Sequence, residues 1–327
     1  MTSSETRKPS YSRRMMWLAV FVAVLFGGYS AGWFYVGKLL QDQVKTALAD
    51  ANAKGVSADC ANPTARGFPF RIGLFCDAVS FDSRKGASVS AGAFRSAAQV
   101  YNPFHIIAEL DGPAVIDAAG APPLLFNWEG LRASVRLAAP LPERISVEGT
   151  DVAAGPASGQ PLAKAASVQG HMRPNGADLD VAGSVGNLVA DASVLQGRVV
   201  PPLSAEVDAT VTNGVALLQL RPKSLRGQSA IFRTLTISTD ANTGVGIAGP
   251  VSVDEAGLID ADLTLTVRNA KGLAEAAATA FPEARDRIEK AMIGIGMLGQ
   301  NTSLPLKIVK GKASLGFIGL GDIPPVK

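Results

Sequence analysis

From Met15 to Gly37 the chain runs without a single charge, beginning Met15-Met16-Trp17-Leu18-Ala19-Val20-Phe21-Val22-Ala23-Val24-Leu25-Phe26. At 1.5 Å of rise per residue a helix of this length crosses about 30 Å of hydrocarbon with some tilt. In lipid every backbone group must bond internally, so an isolated segment of this kind crosses as a helix. Trp17 at one end and Trp33, Phe34 and Tyr35 at the other suit the two water interfaces. Arg7, Lys8, Arg13 and Arg14 precede the run, and only Lys38 and Lys45 follow it closely. Positive flanks stay inside, which predicts that the long C-terminal part is exported. The rival reading is a cleaved signal peptide, with Ser30 and Gly32 as small residues for the cut; the apolar run is long for a signal core.

The basic balance then loses its apparent meaning. Four positive charges against Glu5 in the tail account for the whole net charge of +3. A neutral exported part carries no electrostatic footprint for nucleic acid. The two cysteines, Cys60 and Cys76, lie early in that part. An even count in an oxidising compartment predicts one bridge, worth about 3 kcal/mol in the chain-entropy picture, with two buried free thiols as the alternative. No Cys-x-x-Cys is present, which argues against a redox role.

Past the apolar run, Leu40, Val44, Ala47, Leu48 and Ala51 share one helical face, and Gly55 is a natural stop. From Val56 the period changes to two. Ala166, Val168 and Met172 alternate with Ser167, Gln169, His171 and Arg173; Pro174-Asn175-Gly176 turns the chain, and Ala177, Leu179 and Val181 continue the apolar face. Ala205, Val207, Ala209 and Val211 repeat the pattern up to Asn213-Gly214, and Val215 to Leu220 reads as the return strand. Ala261, Leu263, Leu265 and Val267 form another one-sided strand. Helices are expected from Leu273 to Ala280 and again beyond Phe281-Pro282, where Ile288, Met292, Ile293, Ile295 and Met297 make an apolar end suited to a concave sheet. The chain closes on a hairpin, Leu304 to Val309, Lys310-Gly311 and Ala313 to Phe317. The Gly and Pro cluster from Ala153 to Pro161 reads as a loop or a boundary within one sheet.

The organisation expected is therefore a basic cytoplasmic tail (1–14), a transmembrane helix (15–37), an amphipathic stalk (38–55) and an exported β-rich domain (56–327). The fold class is mainly β: an antiparallel, hairpin-rich curved sheet forming a groove, sandwich or barrel, with an N-terminal transmembrane helix and a C-terminal helical segment.

Chemistry is sparse. His171 falls on the polar face of a strand, and His105 has no Cys or second His at ligand spacing. No Gly-x-Ser-x-Gly, Ser-x-x-Lys or His-Glu-x-x-His occurs, so neither an enzyme nor a cofactor is expected. Asp178, Asp180, Asp208 and Asp262 have the spacing of solvated faces. In the apolar run, Gly28-x-x-x-Gly32 matches a close-packing motif for two helices and would permit a homodimer, although glycine is common in such helices.

The segment Arg66-Gly67-Phe68-Pro69-Phe70-Arg71-Ile72-Gly73-Leu74-Phe75-Cys76, with Leu304-Pro305-Leu306 and Gly319-Leu320-Gly321-Asp322-Ile323-Pro324-Pro325 near the end, resembles the bacterial family known as domain of unknown function 2125. The resemblance implies a Gram-negative envelope protein in the inner membrane, its bulk periplasmic, similar in layout to AsmA-like proteins whose sheets curl into an apolar groove. It brings no catalytic residues. Phospholipid or another hydrophobic ligand in such a groove is the leading expectation, and an envelope scaffold binding protein partners is the alternative. Whether Phe68, Phe70 and Leu74 face a ligand or a core is left open by their spacing.

Overall fold

An apolar run followed by an amphipathic one, with no glycine or proline strong enough to part them, gives one continuous helix, α1 (Tyr11–Ala53). In the computed structural model the described residues are 11–83, 86–220, 224–297, 299 and 301–326; most of the basic tail, including Arg7 and Lys8, lies outside them. The two halves of α1 differ. From Arg13 to Gly32 nearly every side chain is exposed, and mean hydropathy reaches 1.7, enough by length and composition for a membrane crossing. From Trp33 a stripe of Trp33, Gly37, Leu40, Val44, Leu48 and Ala51 is buried or half-buried against the sheet, and Ala47 stays exposed. Gly37 sits where a Cβ would come within 3.3 Å of Ala65 Cβ, so helix and strand approach closely there. The chain leaves the helix at Gly55, whose φ of +87° suits glycine.

The twenty strands among the described residues belong to one antiparallel sheet that does not close. Its first five lanes are each bent in the middle, so that two short strands make one lane. These are β1 (Ser57–Cys60) with β2 (Thr64–Arg66), β3 (Arg71–Cys76) with β4 (Val79–Asp82), β5 (Ala87–Ala91) with β6 (Phe94–Gln99), β7 (Asn102–Leu110) with β8 (Ala114–Ala118), and β9 (Leu124–Asn127) with β10 (Gly130–Arg136). Single strands follow: β11 (Arg144–Pro156), β12 (Ala163–Asn175), β13 (Asp178–Ala190), β14 (Leu203–Val211), β15 (Ser229–Ser238), β16 (Gly244–Val253), β17 (Ile259–Arg268), β18 (Asn301–Val309), β19 (Lys312–Leu315) and β20 (Ile318–Asp322). Each lane pairs with the lanes before and after it in sequence, a plain meander.

The bends line up into a crease that crosses adjacent lanes at 61–63, 77–78, 92–93, 111–113 and 128–129, then continues through Asp151 (φ 48°) and Asn187 (φ 50°). The crease has a stereochemical role. Apolar residues on its two sides are an odd number of positions apart in most of these lanes, as in Cys76 and Val79, Ala91 and Phe94, or Val185 and Leu188. Strict alternation would put them on opposite faces; an extra residue at the bend returns them to one. The Cys60–Cys76 disulfide, which joins neighbouring lanes across the crease, holds that match covalently. The same slip corrects the expected alternation near Ala166: Ala166 is exposed, and Ala165 is the buried neighbour.

Two further expectations change. Val215 to Leu220 is not a return strand but part of a short helix, α2 (Gly214–Leu220). Adjacent leucines break the period of two and favour helix, and Val211 instead pairs with Ala230 on β15. The cluster from Ala153 to Pro161 is strand as far as Pro156, with the loop beginning only after it. The two expected helices are present as α3 (Ala270–Ala280) and α4 (Arg285–Gly296), separated by a 3-10 turn at Pro282–Ala284. Asn269 caps α3, accepting from the Gly272 N–H and donating to Thr243 Oγ1 at 2.8 Å. Arg198 holds the other end, donating to the Ala280 carbonyl, pairing with Glu283 at 2.6 Å and lying 4.7 Å over the Phe281 ring. The helix therefore lies across one end of the sheet, between the turn before β16 and the turn before β14. Ala270, Ala274, Ala278 and Ala280 are buried beneath it. The apolar end of α4 does not insert into the sheet: Ile293 and Met297 are exposed, and the Ile295 side chain lies outside the described residues.

Candidate hydrophobic-ligand face

Register assigns every lane's side chains to one of two faces. One row runs Ile72, Ala98, Ile106, Val135, Ile145, Met172, Val181, Ala209, Phe232 from β3 to β15. A second runs Ala133, Val147, Gly170, Gly183, Val207, Leu235, Ile247, Leu265, Leu304 from β10 to β18. Beyond the crease, Ala58, Phe81, Val89, Ile116 and Leu124 make a third. The intervening row is the opposite in kind: Arg95, Glu109, Arg132, Glu148, Gln169, Ser184, Glu206, Thr236. One face thus carries continuous apolar rows, and the other is mostly polar and charged, with Ile107 and Ile231 among its apolar exceptions.

No second sheet covers the apolar face among the described residues, and no large side chain there is fully buried. The molecule exposes 21318 Å², whereas a compact monomer of this mass would expose about 12,700 Å² by surface–mass scaling. Part of the excess is the bare half of α1, and part is the single-layered sheet. Covering apolar surface gains about 25 cal/mol per Å², so an open face of this kind is at a free-energy cost relative to a covered one.

On the charged face the ionisable groups are mutually satisfied. Asp180, only 6 % exposed, accepts from Thr210 Oγ1 at 2.7 Å and pairs with Arg173 at 3.0 Å and Arg233 at 3.4 Å. The Thr210 hydrogen bond, helped by the two arginines, holds the Asp180 carboxyl below the ordinary carboxylate range against the opposing effect of burial. Arg233 is the extra residue at the β14–β15 bulge, which aims its guanidinium at Asp208 and lowers that carboxyl too. Of the four acids expected on solvated faces, Asp180 is the exception, a buried member of an ionic ladder. Asp208 is paired with Arg233, and Asp262 lies near Lys307. A second network joins Arg95 to Asp111 and Glu109, and Arg132 to Glu109. His105 bonds Ser134 Oγ at 2.9 Å and His171 bonds Ser146 Oγ at 3.0 Å, each across a strand pair. Among the described residues no group of three His, Cys, Asp or Glu side chains could hold a metal ion.

The residues singled out from the sequence fall in separate places. Cys60 and Cys76 are bonded to each other. Gly28 and Gly32 stand on the bare half of α1 with nothing near them. Trp33, read as an interfacial anchor, is buried instead: its indole N–H donates to the Arg71 carbonyl at 2.8 Å, and its ring packs edge-on to Phe68. Phe34 stacks on Phe68, and the Tyr29 hydroxyl donates to the Pro69 carbonyl. The three residues whose roles were open thus divide: Phe68 docks α1, Leu74 faces the apolar side of β3, and Phe70 projects outward. A feature not read from the sequence is the set of apolar side chains at neighbouring hairpin tips, Phe70, Tyr101 and Leu137. Its signal was present as an aromatic at the centre of the turn Gln99-Val100-Tyr101-Asn102.

The fold and its two faces define a class: a single-layered antiparallel meander with an open apolar face, preceded by a helix apolar enough to cross a membrane. Residues 33–324 match the family model DUF2125, described as an uncharacterized protein conserved in bacteria, and the chain belongs to that family. No curated protein sequence matches the chain.

Proposed function

We propose that this is a non-catalytic bacterial envelope protein, held in the inner membrane by α1 with its sheet on the periplasmic side, and that the open apolar face binds the acyl chains of phospholipid or a similar hydrophobic ligand. The observation that carries the reading is the apolar rows uncovered by any second layer. The positive flank at Arg13 and Arg14 and the disulfide support export. A bare Gly28 and Gly32 leave the helix free to pair with a second copy.

The test is native mass spectrometry of the full chain in mild detergent, with and without Val147→Glu and Leu235→Glu in the second apolar row. Bound phospholipid on the parent and its loss from the double variant support the reading; a lipid-free parent that also takes up no fluorescent fatty acid overturns it. A reporter fused after residue 327 and active only outside the cytoplasm tests the orientation. A second reading, an adaptor for envelope proteins, draws on the terminal edge strand β20, which pairs only with β19 and exposes Ile318 and Leu320, with Phe317 exposed in the turn before it. Crosslinking from position 318 to a discrete protein in membranes would favour it.

A further inference from the structure

The bare half of α1 and the apolar hairpin tips lie at the same end of the molecule. The helix is tied near its C-terminus by Asn52, which accepts the Ala58 N–H at the start of β1, and it runs back along the first lane to the Gly67–Phe70 turn, where Tyr29 and Trp33 dock. Beyond that turn the helix leaves the sheet. The uncharged stretch from Met15 to Gly32, touching the sheet only at its end through Tyr29, is 18 residues, about 27 Å, close to one hydrocarbon thickness. The plane at which α1 parts from the sheet is thus the plane at which a bilayer surface would lie if the helix spans.

Three neighbouring turns reach that plane. Phe70 accepts the Val100 N–H through its carbonyl, and Phe104 likewise accepts the Leu137 N–H, so the tips at 67–70, 100–101 and 137–143 stand side by side. Their centres carry Phe70 at 70 % exposure and Tyr101 at 77 %, with Val100, Phe104 and Leu137 also exposed. A soluble hairpin turn gains nothing from such side chains. Turns at the same end but further from α1 are built differently, from Asn175-Gly176, Asn213-Gly214, Asp254-Glu255 and Lys310-Gly311, and among the described residues their exposed large apolar side chains are aliphatic, Leu218, Leu225 and Val309. Charge follows the same division. Next to the apolar tips stand Arg66, Arg71, Arg136 and Arg144, all exposed, against Glu143 alone in those turns and strand ends. Aromatic tips backed by arginines suit a membrane surface of anionic headgroups, where each ring sits at the interface and each guanidinium near a phosphate.

We infer that the Phe70, Tyr101 and Leu137 tips seat in the bilayer interface beside α1, with the arginines behind them engaging anionic phospholipid headgroups, so that the near end of the apolar face opens onto the lipid. This rests on the proposed anchoring by α1 and adds a second, composition-sensitive contact to it.

The experiment uses the full chain in nanodiscs of phosphatidylcholine with or without phosphatidylglycerol. A nitrobenzoxadiazole label is placed through Phe70→Cys, Tyr101→Cys or, at the far end on the charged face, Asp117→Cys, and quenching is read with lipids carrying a shallow nitroxide. Labels at 70 and 101 are expected to be quenched and the label at 117 to be unaffected. Phosphatidylglycerol is expected to raise the quenching about twofold, a gain removed by Arg66→Gln with Arg71→Gln and Arg144→Gln. Unquenched tips with a quenched probe at Trp17→Cys would overturn the inference and leave the anchor standing, and would point to a protein occupant for the tips. A probe at Trp17→Cys that is also unquenched would overturn the anchoring itself. Equal quenching with and without phosphatidylglycerol would overturn the anionic component.

Discussion

The creased lanes of β1 to β10 and the later lanes of β12 to β18 share one meander and one apolar face, yet they finish that face in different ways. The later lanes are closed at one end by α3, whose stripe of alanines lies low enough to be buried, and their charged face is tied by Asp180, Thr210 and Arg233. The creased lanes carry their own ionic network, Arg95 with Asp111 and Glu109 and Arg132 with Glu109, but among the described residues no helix closes one of their ends as α3 does. They are held by a disulfide and by the packed half of α1, and their tips expose aromatic side chains. One region buries its closing element, and the other leaves its tips exposed, the ends for which we have proposed a membrane contact.

That contrast can be broken at several points. The largest effect is expected in the later lanes from Ala278→Asp, because Ala278 is 0 % exposed and an uncompensated buried charge costs about 3–5 kcal/mol. Urea unfolding monitored by circular dichroism should show the midpoint falling while the Cys60–Cys76 bridge stays intact. Next is loss of that bridge through Cys60→Ser with Cys76→Ser, expected to cost about 3 kcal/mol for a loop of this length. Limited proteolysis should then cut first near the crease, within the β3–β6 region, and not in the later lanes. A smaller loss, about 2 kcal/mol, is expected from Gly37→Leu, where the added side chain meets Ala65 and must push the helix off the first lane. Hydrogen exchange of the amides from 33 to 53 should rise, with those of β15 to β17 unchanged.

The smallest effect sharpens the ionic side of the comparison. Asp180→Asn should cost about 1 kcal/mol near neutral pH, because both arginine partners remain in reach of water. Its sign with pH follows from a folded pKa held below the unfolded one. The stabilisation is fully present above the ordinary carboxylate pKa of about 3.9 and is lost as pH falls through the lower folded value. Melting temperatures of parent and variant should therefore converge in acid and diverge above that range.

Much of this architecture was legible in the sequence because it is periodic. The alternation around Val168, Val207 and Leu263 fixed both the strands and the face they share, and the uncharged run from Met15 fixed a helix. What was not legible depended on pieces that break a period. Ala165 rather than Ala166 is buried because the crease inserts a residue whose presence only the neighbouring lanes reveal. Val215 to Leu220 looked like a partner for β14 until the pairing of Val211 with Ala230 took that place. Trp33 has the composition of an interfacial anchor, but its hydrogen bond to Arg71 comes from a turn more than thirty residues away. The apolar tips were hidden for a related reason: Phe70, Tyr101 and Leu137 each belong to a separate turn, and only the sheet sets them side by side.

The meander has a consequence for how the molecule is made. Every lane finds its partner in the lane just synthesised, so no strand must wait for a distant one and loop closure stays inexpensive throughout. On the topology proposed above, a chain exported behind α1 would add lanes in the order they emerge, with α1 already in place as the first surface against which the next lane is laid. Assembly of this kind resembles extension of a repeat array, in which each added unit needs only its predecessor.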